Sequence, residues 1–201
     1  MGEWILIRGK NLYVEQYGEA QPDALLYLHG GPGASCVDFC YHQAKALGDS
    51  LRVVAIDQRG VLRSDPVEPD ESFSLQDLIE DCEALRVALG IRKWSVLGHS
   101  FGGYLAFRYA HQYPESVHKV LYEAPCFDAK LSTESLMRKA LYVAQQKRLD
   151  CAADIQAHLE KDYGARELWD VWGTIIQKLG KHKDEVYKYT NVVKQFVLTD
   201  R

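Results

Sequence analysis

The stretch Trp94-Ser95-Val96-Leu97-Gly98-His99-Ser100-Phe101-Gly102-Gly103 constrains this chain more than any other. Its apolar, β-branched start reads as a buried strand, and a helical pattern with small residues at Gly103, Ala106 and Ala110 follows over 104–113. Between strand and helix stands G-x-S-x-G. A serine in that place must turn so sharply that side chains at the flanking positions would clash, which is why glycines are required at Gly98 and Gly102. The turn lifts the Ser100 hydroxyl out of the sheet and sets it at a helix N-terminus, where free N–H groups favour a developing negative charge. The simpler alternative is a tight connection whose serine only caps the helix.

The surroundings fit that turn. Short apolar runs at 4–8, 12–17, 24–29, 52–57, 94–98 and 119–123 read as strands, and helical patterns fall between them. The clearest helix covers 74–89, with Ser74 as N-cap, Asp77 three residues on, one apolar stripe from Leu75 to Leu89, and Gly90 to end it. This alternation predicts an α/β fold: a mostly parallel sheet with helices on both faces and the first two strands as a hairpin at its edge. After residue 126 the chain changes. All six prolines and all but three of the fifteen glycines precede residue 127. Beyond it apolar residues recur at helical spacing (Leu136, Ala140, Ala144; Trp169, Trp172, Ile176; Val193, Phe196), so 127–201 reads as short helices without strands. Two regions are expected, a core over 1–126 and an all-helical segment over 127–201.

A second element points to the same chemistry. The strand ending at Leu28 runs into His29-Gly30-Gly31-Pro32-Gly33, a loop too rich in glycine for helix or strand and able to bring backbone close to a ligand. A tetrahedral intermediate at Ser100 needs two donors. The usual arrangement takes one N–H from the residue after the nucleophile, here Phe101, and one from such an earlier loop, here Gly31. The alternatives are a plain connecting turn or a phosphate cradle, and the loop lacks the spacing and lysine of the latter.

Three motifs, in order, resemble the α/β-hydrolase fold and within it the proline iminopeptidase-like serine peptidases: His29 to Gly33 as HGGPG, Asp57-Gln58-Arg59-Gly60 as DQRG, and Gly98-His99-Ser100-Phe101-Gly102 as the nucleophile turn. The resemblance implies removal of an N-terminal residue from a peptide or amide through an acyl-enzyme on Ser100. It also implies that 127–201 is an incomplete helical cap, inserted in a core whose last strands are absent. Phe101 stands where the family commonly has Trp, and Val61-Leu62-Arg63-Ser64 where it usually continues with a second glycine, so esterase, lactonase and amidase chemistry remain alternatives. In this fold the triad acid and histidine follow the nucleophile, which puts both beyond Arg201 and makes the 201 residues alone nearly inert. A non-catalytic binding protein and a split enzyme completed by a second chain are the competing readings.

None of the seven histidines is a good substitute base. His29 and His99 belong to the motifs, His42, His111 and His118 fall in or beside core helices, and His158 and His182 lie among the charges of the helical segment. Glu123, at the end of the strand after the nucleophile helix, sits on the rim where open α/β sheets bind ligands. It is a candidate for a substrate's N-terminal ammonium, for the triad acid, or for a plain salt bridge; Glu134, Glu160 and Glu167 cannot be ranked from sequence.

Composition narrows the partners. With 47% apolar residues, a net charge of −4 and no run of some 18 uncharged apolar residues, the chain reads as soluble, and the start Met1-Gly2-Glu3-Trp4 lacks a signal-peptide pattern. A cytoplasmic setting, a small peptide, amide or ester substrate, no nucleic acid and no membrane are expected. Five cysteines without a C-x-x-C pair favour reduced thiols over disulfides or zinc, and acyl transfer by serine calls for no metal or organic cofactor.

Overall fold

A computed structural model describes residues 2–186 and divides the chain into two compact units, Met1–Phe127 and Asp128–Arg201. In the first unit six strands form one sheet in the order β1-β2-β4-β3-β5-β6: β1 Gly2–Ile7, β2 Lys10–Tyr17, β3 Ala24–Leu28, β4 Arg52–Ile56, β5 Trp94–His99 and β6 Val117–Glu123. β1 and β2 form an antiparallel hairpin at the edge, and β2 pairs antiparallel with β4. From β4 through β3 and β5 to β6 every pairing is parallel. All five residues of β3 are buried, as the central strand of a two-faced parallel sheet requires.

Alternation along the strands sorts the core into two layers. Leu26, Leu28, Val54 and Ile56 pack with Leu78, Ile79, Cys82 and Leu85 of helix α3 (Leu75–Ala88) and Leu105 and Tyr109 of helix α4 (Phe101–Gln112). Tyr27, Val53 and Ala55 point the other way, onto Cys36, Phe39, Cys40 and Ala44. Phe39, Cys40 and Ala44 belong to a helical stretch built of α1 (Val37–Phe39), a π turn (Cys40–Ala44) and α2 (Lys45–Leu47), with Cys36 at its N-cap. Each fully buried Leu, Ile or Val contributes roughly 1.5–3 kcal/mol. Helix α3 has Ser74 as N-cap, with the Ser74 N–H donating to Asp77 Oδ2 at 2.9 Å.

The second unit contains α5 (Ala129–Lys147), α6 (Ala152–Leu159), α7 (Ala165–Lys178) and a 3-10 helix (Gly180–Val186), with no strand among the described residues. Its core joins Met137, Ala140, Val143 and Ala144 to Ile155, Leu168, Trp172, Ile175 and Leu179. On α7 Trp172 is buried as the spacing predicts, but Leu168 and Ile175 are buried where the sequence pointed to Trp169, which is exposed, and Ile176, which is only partly buried. Val193 and Phe196 lie outside the described residues. No helix of the described residues is long and apolar enough to cross a membrane.

Candidate active site

Strand β5 ends at His99 and α4 begins at Phe101, so Ser100 is the one residue between them. Its backbone takes φ 52° and ψ −118°, a conformation that L-residues rarely adopt and that must be held from outside. The exit of β6 supplies that hold. The Ser100 N–H donates to Glu123 O at 3.0 Å, and the Cys126 N–H donates to Ser100 O, also at 3.0 Å. The glycines leave the necessary room: a Cβ on Gly98 would lie 2.3 Å from Gly102 O, and one on Gly102 would lie 2.1 Å from Leu28 O. At the helix start the Phe101 N–H has no intrahelical acceptor and remains available to an anion.

The glycine loop lies against this turn, since a Cβ on Gly30 would come within 2.9 Å of Ser100 Cβ. Gly31 has φ 115°, and its peptide bond to Pro32 is cis; Gly33 has φ 94°. His29 is buried and anchors the loop rather than facing it. Its Nδ1 lies 2.9 Å from Gly30 O, and its Nε2 accepts from the Gln58 N–H at 3.0 Å, which fixes the proton on Nδ1. The Gln58 side chain returns a hydrogen bond to His29 O at 3.0 Å. Burial is the strongest influence on His29 and lowers its pKa, so the imidazole stays neutral.

The residues around Gln58 brace the same region. Asp57 Oδ1 accepts from Ser35 Oγ at 2.7 Å and from the Cys36 N–H at 3.0 Å, pinning the chain just after the loop. Arg63 Nε donates to Asp57 Oδ2 at 2.6 Å and Arg63 Nη1 to Glu15 Oε1 at 2.7 Å. Burial works against ionisation of Asp57, but the hydrogen bonds from Arg63, Ser35 and Cys36 outweigh it and hold the carboxyl below its usual range. Arg59 reaches the other way, with Nε and Nη2 donating to the two oxygens of Asp81 on α3 at 2.9 and 2.8 Å. Each side chain of the DQRG stretch thus ties β4 to a different neighbour.

Glu123, on the rim, is exposed, and its Oε2 lies 3.3 Å from His99 Nδ1 without the alignment of a hydrogen bond. Among the described residues Ser100 Oγ makes no hydrogen bond to a histidine. His42 and His111 are exposed on helical segments. His118 lies on strand β6, not in or beside a helix as the sequence suggested, because the strand begins at Val117. His158 pairs with Tyr163 and His182 with Glu185 inside the second unit. The structure therefore brings together Ser100, Phe101, Gly30, Gly98, His99, Gly102 and Glu123. Asp57, Gln58 and Arg63 were not singled out as bracing residues from sequence; the DQRG match beside a glycine loop was the available signal.

Comparison with known proteins identifies the fold family. A protein-family model described as the alpha/beta hydrolase fold matches residues 23–168. The proline iminopeptidase of Xylella fastidiosa (strain 9a5c) is 43% identical over 106 residues, covering 52% of this chain and 33% of the relative. Epoxide hydrolase 1 of Caenorhabditis elegans is 31% identical over 178 residues, covering 82% of this chain and 43% of the relative. Among solved structures, the proline iminopeptidase-related protein of Thermus thermophilus superposes with a TM-score of 0.60 at 27% identity, covering 85% of this chain and 59% of that one. The match thus spans about a third of the Xylella iminopeptidase's length.

Proposed function

The chain belongs to the α/β-hydrolase fold family, and from that premise we propose that it is the nucleophile-bearing part of a serine hydrolase of the proline iminopeptidase type. Ser100 Oγ attacks the carbonyl carbon of an N-terminal residue's amide, and the oxyanion is met by the N–H groups of Phe101 and Gly31. The amine leaves with a proton, and water then hydrolyses the acyl-enzyme. The observation that carries this reading is the backbone of Ser100, φ 52° between strand and helix, tied to the exit of β6 and covered by Gly30. A strained turn of that kind has a use where a hydroxyl must be presented.

Glu123 is assigned to the substrate's free ammonium. Its carboxylate is exposed on the rim beside His99 and is joined to the nucleophile's backbone through its own carbonyl. The triad acid and histidine are assigned to chain beyond Arg201. Supporting this is β6, a parallel strand at the sheet edge with Leu121 and Tyr122 exposed, where parallel strands are ordinarily covered and further strands would add. The helices after Asp128 stand at the point in the chain where the family inserts a cap.

The epoxide hydrolase match covers more of the chain, yet the residue at the turn favours acyl transfer. A serine oxygen that opens an epoxide leaves an ether, which water does not readily cleave, whereas an acyl-serine ester hydrolyses. A panel of prolyl and other aminoacyl amides, simple esters and epoxides tests the assignment. In the chain extended past Arg201, amide turnover is expected and should fall about a millionfold in Ser100→Ala. Ester or epoxide turnover without amide turnover would overturn the substrate class. The 201 residues alone should show negligible hydrolysis; full rates from them would mean that one of their own histidines is the base.

A further inference from the structure

Outside this site, the opposite side of β4 carries a cluster that acyl transfer does not use. Glu15 on β2, Cys36 and Cys40 offer one donor atom each, and these atoms all lie within 4.8 Å of one another. The two cysteines are one helical turn apart, with the Cys40 N–H donating to Cys36 O at 2.9 Å, so both thiols leave the same face. We propose that Glu15, Cys36 and Cys40 form a binding site for a thiophilic divalent cation of the zinc type.

Chemistry and geometry support the assignment. Tetrahedral zinc with Zn–S of about 2.3 Å and Zn–O of about 2.0–2.2 Å sets its donors roughly 3.5–3.8 Å apart, so side-chain rotations of about an ångström close the cluster. Outer partners are already in place: Tyr17 Oη donates to Glu15 Oε2 at 2.6 Å, Arg63 Nη1 to Glu15 Oε1 at 2.7 Å and Arg63 Nη2 to Cys36 Sγ at 3.3 Å. Two thiolates and one carboxylate carry three negative charges, which a divalent cation and Arg63 neutralise together. Cys36 and Cys40 are buried and Glu15 is partly open, so the fourth position would fall to water on the Glu15 side.

Spacing explains why the sequence did not announce this site. C-x-x-x-C on a helix with a carboxylate from a strand twenty-one residues earlier matches no compact zinc motif. Loading would brace the segment just after the glycine loop, because the Cys36 N–H is held by Asp57.

Titration of the full chain with cobalt(II), followed by zinc displacement, tests the proposal. One equivalent should bind with thiolate-to-metal charge-transfer bands, two protons should be released, and zinc should bleach the bands. The bands should vanish in Cys36→Ser and in Cys40→Ser, and affinity should fall at least about tenfold in Glu15→Gln. They should persist when Cys126 and Cys151, the two less buried thiols, are both changed to Ser. That last variant leaves the cluster intact, so it decides the question even if the others fail to fold. No bands in the unaltered chain, or bands lost with Cys126 and Cys151, would overturn the proposal.

Discussion

Glycine at the nucleophile turn and glycine in the helical unit work in opposite ways. In the first, a methyl group on Gly98, Gly102 or Gly103 would meet neighbouring atoms at 2.3, 2.1 and 2.7 Å. In the second, nothing lies within 4 Å of such a group on Gly164, Gly173 or Gly180. One ion pair from each unit shows a similar contrast. Arg59 and Asp81 pair with both side chains buried, whereas Lys130 meets an Asp162 that is 93% exposed. The helical unit is held by an apolar stripe and tolerates change around it. The sheet unit places backbone against backbone at a single turn and satisfies buried charges one by one, which is what presenting a hydroxyl at fixed geometry demands.

That contrast can be broken at its strongest point first. Gly98→Ala or Gly102→Ala should cost more than about 3 kcal/mol, beyond ordinary overpacking, because the obstructing atoms are backbone. Gly173→Ala, on the exposed side of α7, should stabilise by about 0.8–1 kcal/mol. Urea denaturation gives both values, and similar effects at the two sites would erase the distinction. Next in size, Asp81→Ala removes the two-point partner of the buried Arg59 and leaves it only Glu71 at 3.4 Å, which should cost about 2–3 kcal/mol. Asp162→Ala should leave stability within the error of the measurement, with or without added salt.

Acid provides a finer probe. Asp57, Glu15 and Glu83 titrate below their ordinary values when folded, so the unfolded chain binds protons first as pH falls. Their contribution is complete above the unfolded values near pH 4 and is lost as pH drops through the folded ones. Arg63→Met releases two of the three carboxylates and should flatten the dependence of stability on pH below about 4.5. Denaturation at a series of pH values reads that slope; an unchanged slope would remove Arg63 from the account.

Local signals in the sequence located the six strands, the edge hairpin and helix α3, because alternation and capping are encoded within a few residues. The start of α4 was harder. Gly102 and Gly103 depress helix propensity, so the sequence places the helix at 104, yet packing against Leu28 and Pro125 forbids side chains there and the helix begins at Phe101. Trp169 was misread for a related reason: a large aromatic weighs heavily in a periodic pattern, while burial went to Leu168. Ser100 and the glycine loop were legible as motifs. The ties from Gln58 to His29, from Asp57 to Ser35 and from Arg63 to Glu15 join residues 22 to 48 positions apart, which no spacing rule encodes.

Residue 100 stands partly exposed at the positive end of a helix. Ser100→Cys measures this without any base. The thiol introduced there should be alkylated with an apparent pKa below the ordinary value of about 8.5, resolved by peptide mass spectrometry as a function of pH. A thiol that titrates at or above that value, or that resists alkylation in the folded chain, would contradict the account.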